Sequence, residues 1–117
     1  MASVENFEDL KIWRDSRVFV NRIYDLSKSI KDYGFNDQIQ RASVSVMNNI
    51  AEGFERNSDK EFYRFLDIAK SSCGEVRSMI YLATDLGYIS RKDSDDLISS
   101  AKILSGSIFN LMKYLKK

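Results

Sequence analysis

The sequence predicts an all-α protein folded as an antiparallel up-down-up-down four-helix bundle. Three observations carry this fold class. The 117 residues contain no proline, the residue that most strongly interrupts helices. Apolar residues recur three and four apart through four successive segments, the spacing of an amphipathic helix. The breaks between segments are only about four to seven residues long, which turns each helix back along the one before it. A chain of this length makes one domain, residues 1–117, with room for a real core.

The first helix is predicted over residues 10–30, where Ile12, Phe19, Ile23, Leu26 and Ile30 share a face that Trp13, Val20 and Tyr24 widen. The segment KDYGFND breaks this pattern around Gly34, and a second helix follows over residues 35–54. Gly53 and the ERNS segment form the next turn, with Asn57 and Ser58 suited to such positions. Ser58 followed by Glu61 is a capping-box signature. It opens the longest periodic run, Phe62, Phe65, Leu66, Ala69, Cys73, Val76, Ile80 and Ala83. Gly87 stands where a left-handed cap needs a residue without a Cβ. Ser90 followed by Asp93 marks a fourth N-terminus, and Leu97, Ala101, Leu104, Ile108, Leu111 and Leu115 then form an a/d seam. Lys113, Lys116 and Lys117 close the helix at its negative end. Helices of about 20 to 28 residues would span roughly 30–40 Å.

The second helix is unusual, because residues 38–53 (QIQRASVSVMNNIAEG) are apolar on two sides. Phe35, Ile39, Ala42, Val46 and Ile50 share one face, while Val44, Met47 and Ala51 gather on another. Gln38, Arg41, Ser45, Asn48 and Glu52 form a polar stripe between them. An ordinary surface helix needs one apolar stripe, so the second implies another partner, within the chain or from a second copy. The polar stripe is either a solvated face or a network at a helix or subunit boundary. Asn48 and Asn49 favour the network, since asparagine is poor in helix interiors without specific hydrogen bonds. Across an antiparallel pair Glu75 is within reach of Arg41, an arrangement suited to setting register.

Composition excludes several function classes. The chain is 44% hydrophobic and 30% charged with a net charge of +1, so no global basic excess advertises nucleic acid. Histidine is absent, removing the commonest general base and metal ligand. Cys73 is the only cysteine, which excludes an intramolecular disulfide. On the core face, it reads as a buried thiol. There is no phosphate loop, metal-ligand spacing, nucleophile–base pair or E-x-x-H motif. We therefore expect no catalytic residues, no cofactor, no metal and no small-molecule substrate. The start MASVENFEDL lacks an export signal and no apolar run approaches about twenty residues; the expectation is a cytoplasmic protein without membrane contact.

Small residues cluster at Ser71, Ser72, Cys73 and Gly74 and again at Ser105, Gly106 and Ser107, which suggests close approach of a neighbouring helix. Trp13, Phe19, Tyr24, Phe62, Phe65 and Phe109 read as core. Tyr63 and Tyr81 lie off the core face near Lys70, suited to an oligomer contact or, less well, to base stacking. One end of the bundle collects Lys11, Arg14, Arg17, Arg56, Lys60, Arg64, Lys113, Lys116 and Lys117, a candidate nucleic-acid contact. Acids at the same end (Glu5, Glu8, Asp9, Asp15, Glu52, Glu55, Asp59 and Glu61) offset its field.

The run Gln38-Ile39-Gln40-Arg41-Ala42-Ser43-Val44-Ser45, continuing to Asn49-Ile50-Ala51-Glu52-Gly53, resembles the bacterial rRNA-intervening-sequence protein family. The resemblance extends to Phe7-Glu8-Asp9-Leu10 with Trp13 and to residues 62–75. Gln40 departs from the family pattern, in which a second basic residue precedes Arg41. The resemblance implies an up-down bundle assembled into a ring-like pentamer, and a related branch serves retroelement reverse transcriptases as an accessory protein. It makes Arg41, Asn49, Glu52, Gly53 and Glu75 structural or interface residues, beside Val44, Ser45, Met47, Asn48 and Ala51. The expected function is that of a non-enzymatic homo-oligomer acting as a scaffold or RNA-associated accessory protein; the alternative is a protein–protein adaptor without nucleic-acid contact.

Overall fold

Local capping chemistry sets where each helix starts and stops. The computed structural model describes residues 4–116, which hold a short 3-10 turn, Phe7–Asp9, and four helices. These are α1 (Lys11–Ser27), α2 (Tyr33–Glu55), α3 (Asp59–Asp85) and α4 (Arg91–Leu115). Ser58 Oγ accepts from the Glu61 amide at 3.2 Å and Ser90 Oγ from the Asp93 amide at 3.1 Å, so both predicted N-caps form. Gly87 has φ +75°. Its amide donates to the Thr84 carbonyl and that of Tyr88 to the Ala83 carbonyl, the paired bonds of a Schellman stop.

The first turn differs from expectation. α1 ends at Ser27, so its 17 residues fall short of the predicted length. α2 begins at Tyr33, which places Gly34 inside its first turn instead of in a break. The cause is a pair of side chains. Asp32 Oδ1 accepts from the Phe35 amide at 3.1 Å and starts α2 early. Asn36 Nδ2 donates to the carbonyls of Ser27 and Ile30, satisfying the end of α1.

The four helices share one apolar core. Ile23, Ile39, Val46, Ile50, Leu66, Val76, Ile80 and Ile108 are fully buried. The predicted α2 face, Phe35, Ile39, Ala42, Val46 and Ile50, lies wholly inside it. Antiparallel order follows from contacts at the ends. Tyr88, beyond α3, reaches Asp32 at the start of α2, and Lys116, beyond α4, reaches Tyr63 at the start of α3. The 45 Å long axis fits a 27-residue helix, about 40 Å long at 1.5 Å per residue.

Packing is uneven around the bundle. α2 lies against α3, and α3 against α4, along most of their lengths; α1 rests mainly on α2 and touches α4 little. A groove of about 280 Å³ opens along the α1–α4 seam, lined by Asp15, Val18, Phe19, Arg22, Ser100, Ile103 and Leu104. Arg22 bridges it, donating to Ser100 Oγ at 2.9 Å and Asp96 Oδ2 at 2.8 Å.

Two expectations about packing are overturned. Tyr24 and Phe109 are not core residues, being 42% and 44% exposed, because each stands at the edge of its apolar stripe. Gly74 and Gly106 do not mark close helix approach, since a Cβ added at either meets nothing within 4 Å. The close approach is at Gly53. A Cβ there would stand 2.6 Å from Phe65 Cβ and 3.0 Å from Phe62 Cδ1. α2 and α3 can lie together at this end because residue 53 has no side chain.

Candidate interaction surface

The polar residues of α2 divide into two groups. Ser45 and Asn49 face α3. Ser45 Oγ lies 2.8 Å from Ser72 Oγ, and Asn49 Nδ2 donates to Ser45 Oγ at 3.0 Å and to the Ser45 carbonyl at 2.8 Å. These three side chains form a half-buried network that locks one helix against the next. Ser72, its α3 member, was placed by sequence only in a small-residue cluster. Arg41, Asn48 and Glu52 point outward. Arg41 pairs with Asp37 at 2.9 Å on its own helix, and Glu52 pairs with Arg56 at 3.7 Å. Glu75 is exposed on α3 and forms no ion pair with Arg41. A polar contact between α2 and α3 is instead made by Ser45 and Ser72, which face each other, whereas Arg41 and Glu75 are both exposed to solvent.

Val44, Met47 and Ala51 are each half-buried, and none belongs to the core cluster. Beside them a groove of about 410 Å³ is lined by Tyr24, Asp37, Gln40, Arg41, Val44, Ser45 and Asn48. α2 thus has an apolar strip that this chain's own core does not use.

At the basic end, most of the nine candidate cations are already engaged. Lys11 pairs with Asp15 at 2.6 Å and Arg64 with Glu61 at 3.2 Å. Arg64's hydrogen bond holds the Glu61 carboxyl below its ordinary value. Arg14 donates to the Asp9 carbonyl at 2.7 Å, and Arg17 lies over the Trp13 ring. Arg56, paired with Glu52, also lies with Arg64 over the Phe65 ring. Lys60, Lys113 and Lys116 form no ion pair among the described residues, and Lys117 lies outside them. Lys70 Nζ stands 5.6 Å from the Phe109 ring centroid, and Lys116 Nζ lies over the Tyr63 ring.

Cys73 is buried and donates to the Ala101 carbonyl at 3.3 Å. Burial pushes its thiol up to about 11, so it stays protonated at neutral pH. Among the described residues, no group of three His, Cys, Asp or Glu side chains can hold a metal ion, and no helix is long and apolar enough to cross a membrane.

These features define an all-α bundle whose inward polar groups hold helices in register and whose surface carries an unpartnered apolar strip. The chain belongs to the 23S rRNA-intervening sequence protein family, whose model matches residues 8–110. Its fold is similar to that of a crystal structure of a protein of unknown function from the S23 ribosomal protein family of Bacteroides thetaiotaomicron VPI-5482. The two share 24% sequence identity and a TM-score of 0.84, over 87% of this chain and 98% of the other. No curated protein matches the chain.

Proposed function

We propose that this protein is a non-enzymatic, homo-oligomeric helical scaffold, a pentameric ring that serves as an RNA-associated accessory protein. The observation that carries the assembly is the strip of Val44, Met47 and Ala51, half-exposed and outside the core. A ring of identical subunits needs two different complementary surfaces on each protomer. The α2 strip supplies one. Val18 and Ile103, 61% and 67% exposed across the α1–α4 groove, supply the other. The RNA association rests on membership of the family.

Light scattering on the purified chain tests the assembly. The expected mass is a multiple of the 13.5 kDa protomer, and a monomer at micromolar concentration refutes the scaffold. Met47→Glu should dissociate the ring while leaving helicity intact, because Met47 is outside the core. Titration with structured RNA across a salt series tests the second part. A phosphate-contacting protein loses affinity steeply as salt rises; absence of binding at low salt favours a protein–protein adaptor.

A further inference from the structure

We infer that the α3–α4 face, which shares Lys60, Lys113 and Lys116 with the basic end but not that end's α1 side, is a binding surface for single-stranded nucleic acid. The inference rests on the RNA-associated reading and names the face and the form of polynucleotide. The near-neutral net charge hides an uneven distribution. Ion pairs among the described residues neutralise cations of α1, α2, the α2–α3 turn, and the starts of α3 and α4. Lys60, Lys70, Arg77, Lys102, Lys113 and Lys116 take part in none of them. The other described cations outside these pairs, Arg14, Arg17, Lys31 and Lys92, lie away from the α3–α4 seam, and Arg14 and Arg17 are engaged by the Asp9 carbonyl and the Trp13 ring.

Helical spacing brings four of these together, and contacts add Lys113, beside Phe109, and Lys60, beside Tyr63 and Lys116. Tyr63, Lys70 and Arg77 repeat every seven residues on α3, as do Lys102, Phe109 and Lys116 on α4, and a seven-residue step returns to nearly the same side of a helix. Contacts across the seam confirm that the two stripes meet. Lys70 Nζ on α3 stands 5.6 Å from the ring centroid of Phe109 on α4, and Lys116 Nζ stands 5.6 Å from that of Tyr63 on α3. Lys113 approaches Phe109 at 5.0 Å. A shallow cleft lined by Asp59, Lys60, Tyr63, Leu115 and Lys116 ends the seam.

Two carboxylates, Asp59 and Asp67, lie along the α3 side, and neither pairs with a lysine. Six cations against two acids leave this face positive. Phe109 is 44% exposed between two ammonium groups. Cations that follow a phosphate backbone, interleaved with aromatic faces on which bases stack, are what a single strand needs. A duplex hides its base faces, and the aromatic part of this surface would add nothing to its binding. From Lys60 to Arg77 the seam runs roughly 25 Å at 1.5 Å per residue, enough for a short strand.

The test is fluorescence anisotropy of the full chain with a labelled oligouridylate, starting at about 50 mM salt. The wild type should bind. Lys70→Glu/Lys113→Glu should weaken binding at least tenfold and flatten the log–log salt slope by about 1.4, at about 0.7 per phosphate contact on a single strand. Phe109→Ala should weaken binding about tenfold with the salt slope unchanged. Lys11→Glu/Arg14→Glu, on the α1 side of the basic end, should bind as the wild type does. Circular dichroism and light scattering keep the comparison among folded proteins, and the exposed pair Lys102→Glu/Lys113→Glu replaces the first variant if it misfolds. Binding that survives both α3–α4 variants overturns this face and leaves the RNA-associated reading standing. A wild type that binds no oligonucleotide overturns both. Binding to anionic phospholipid vesicles without oligonucleotide binding overturns the inference in favour of a membrane surface.

Discussion

Gly53 lies so close to Phe65 that a methyl group on its α-carbon would stand 2.6 Å from the Phe65 Cβ. Both Cβ positions are tied to helical backbone, so α2 and α3 would have to separate. Gly53→Ala is therefore expected to destabilise the protein by about 1–3 kcal/mol, even though alanine is the better helix former by about 1 kcal/mol. Denaturant unfolding checks this, and a midpoint equal to or above the wild type's contradicts the close approach.

Gly74 and Gly106 give the opposite expectation. Both are mid-helix, with open space where a Cβ would go. Gly74→Ala and Gly106→Ala should each raise stability by roughly 0.5–1 kcal/mol, through reduced backbone entropy in the unfolded chain. Loss of stability in either would show that a neighbour packs there after all.

The Ser45–Ser72 contact gives a coupling that a double-mutant cycle can read. Ser45→Ala leaves Ser72 Oγ and one Asn49 donor without their partner, at an expected cost of about 1–3 kcal/mol. Ser72→Ala leaves Ser45 still bonded to Asn49. The double variant should cost less than the sum of the singles, because two groups removed together leave no orphan between them. Strict additivity would mean that the network does not hold α2 against α3.

Tyr88 Oη donates to Asp32 Oδ2 at 2.8 Å and joins the two turns at one end of the bundle. The Phe35 amide, followed by Tyr88, holds the Asp32 carboxyl below its ordinary 3.8, and the bond to Asp32 raises Tyr88 above its ordinary 10.0. A depressed carboxyl stabilises the fold above its unfolded value and loses that contribution as pH falls below it. A raised phenol contributes below its unfolded value and loses it as pH rises through the folded one. Stability from this pair should thus be flat between about pH 4 and pH 10 and fall on both sides. Tyr88→Phe should remove the alkaline decline and soften the acid one; an unchanged pH profile of the unfolding midpoint would count against the pair.

Much of the fold was legible because helix ends are local events. Ser58, Gly87 and Ser90 cap where expected, since each needs only its neighbours within a turn. The early start of α2 had a readable signal in Asp32, an N-cap residue type placed directly before the helix. Gly34 does not oppose that start, since it lies in the first turn of α2, where glycine costs little. The half-exposure of Val44, Met47 and Ala51 was also foreseeable, as azimuth around a single helix follows from residue spacing alone.

Local sequence sufficed for the four helices, the Ser58, Gly87 and Ser90 caps and most of each inward face, because those depend on interactions within a few residues. The tertiary structure alone decided which glycine sits under a neighbouring helix, that Ser72 answers Ser45, and that Lys70 lies over Phe109. Those facts depend on the rotation and axial offset of one helix against another. That relation is set by the summed packing of the whole core, and no short stretch of sequence contains it.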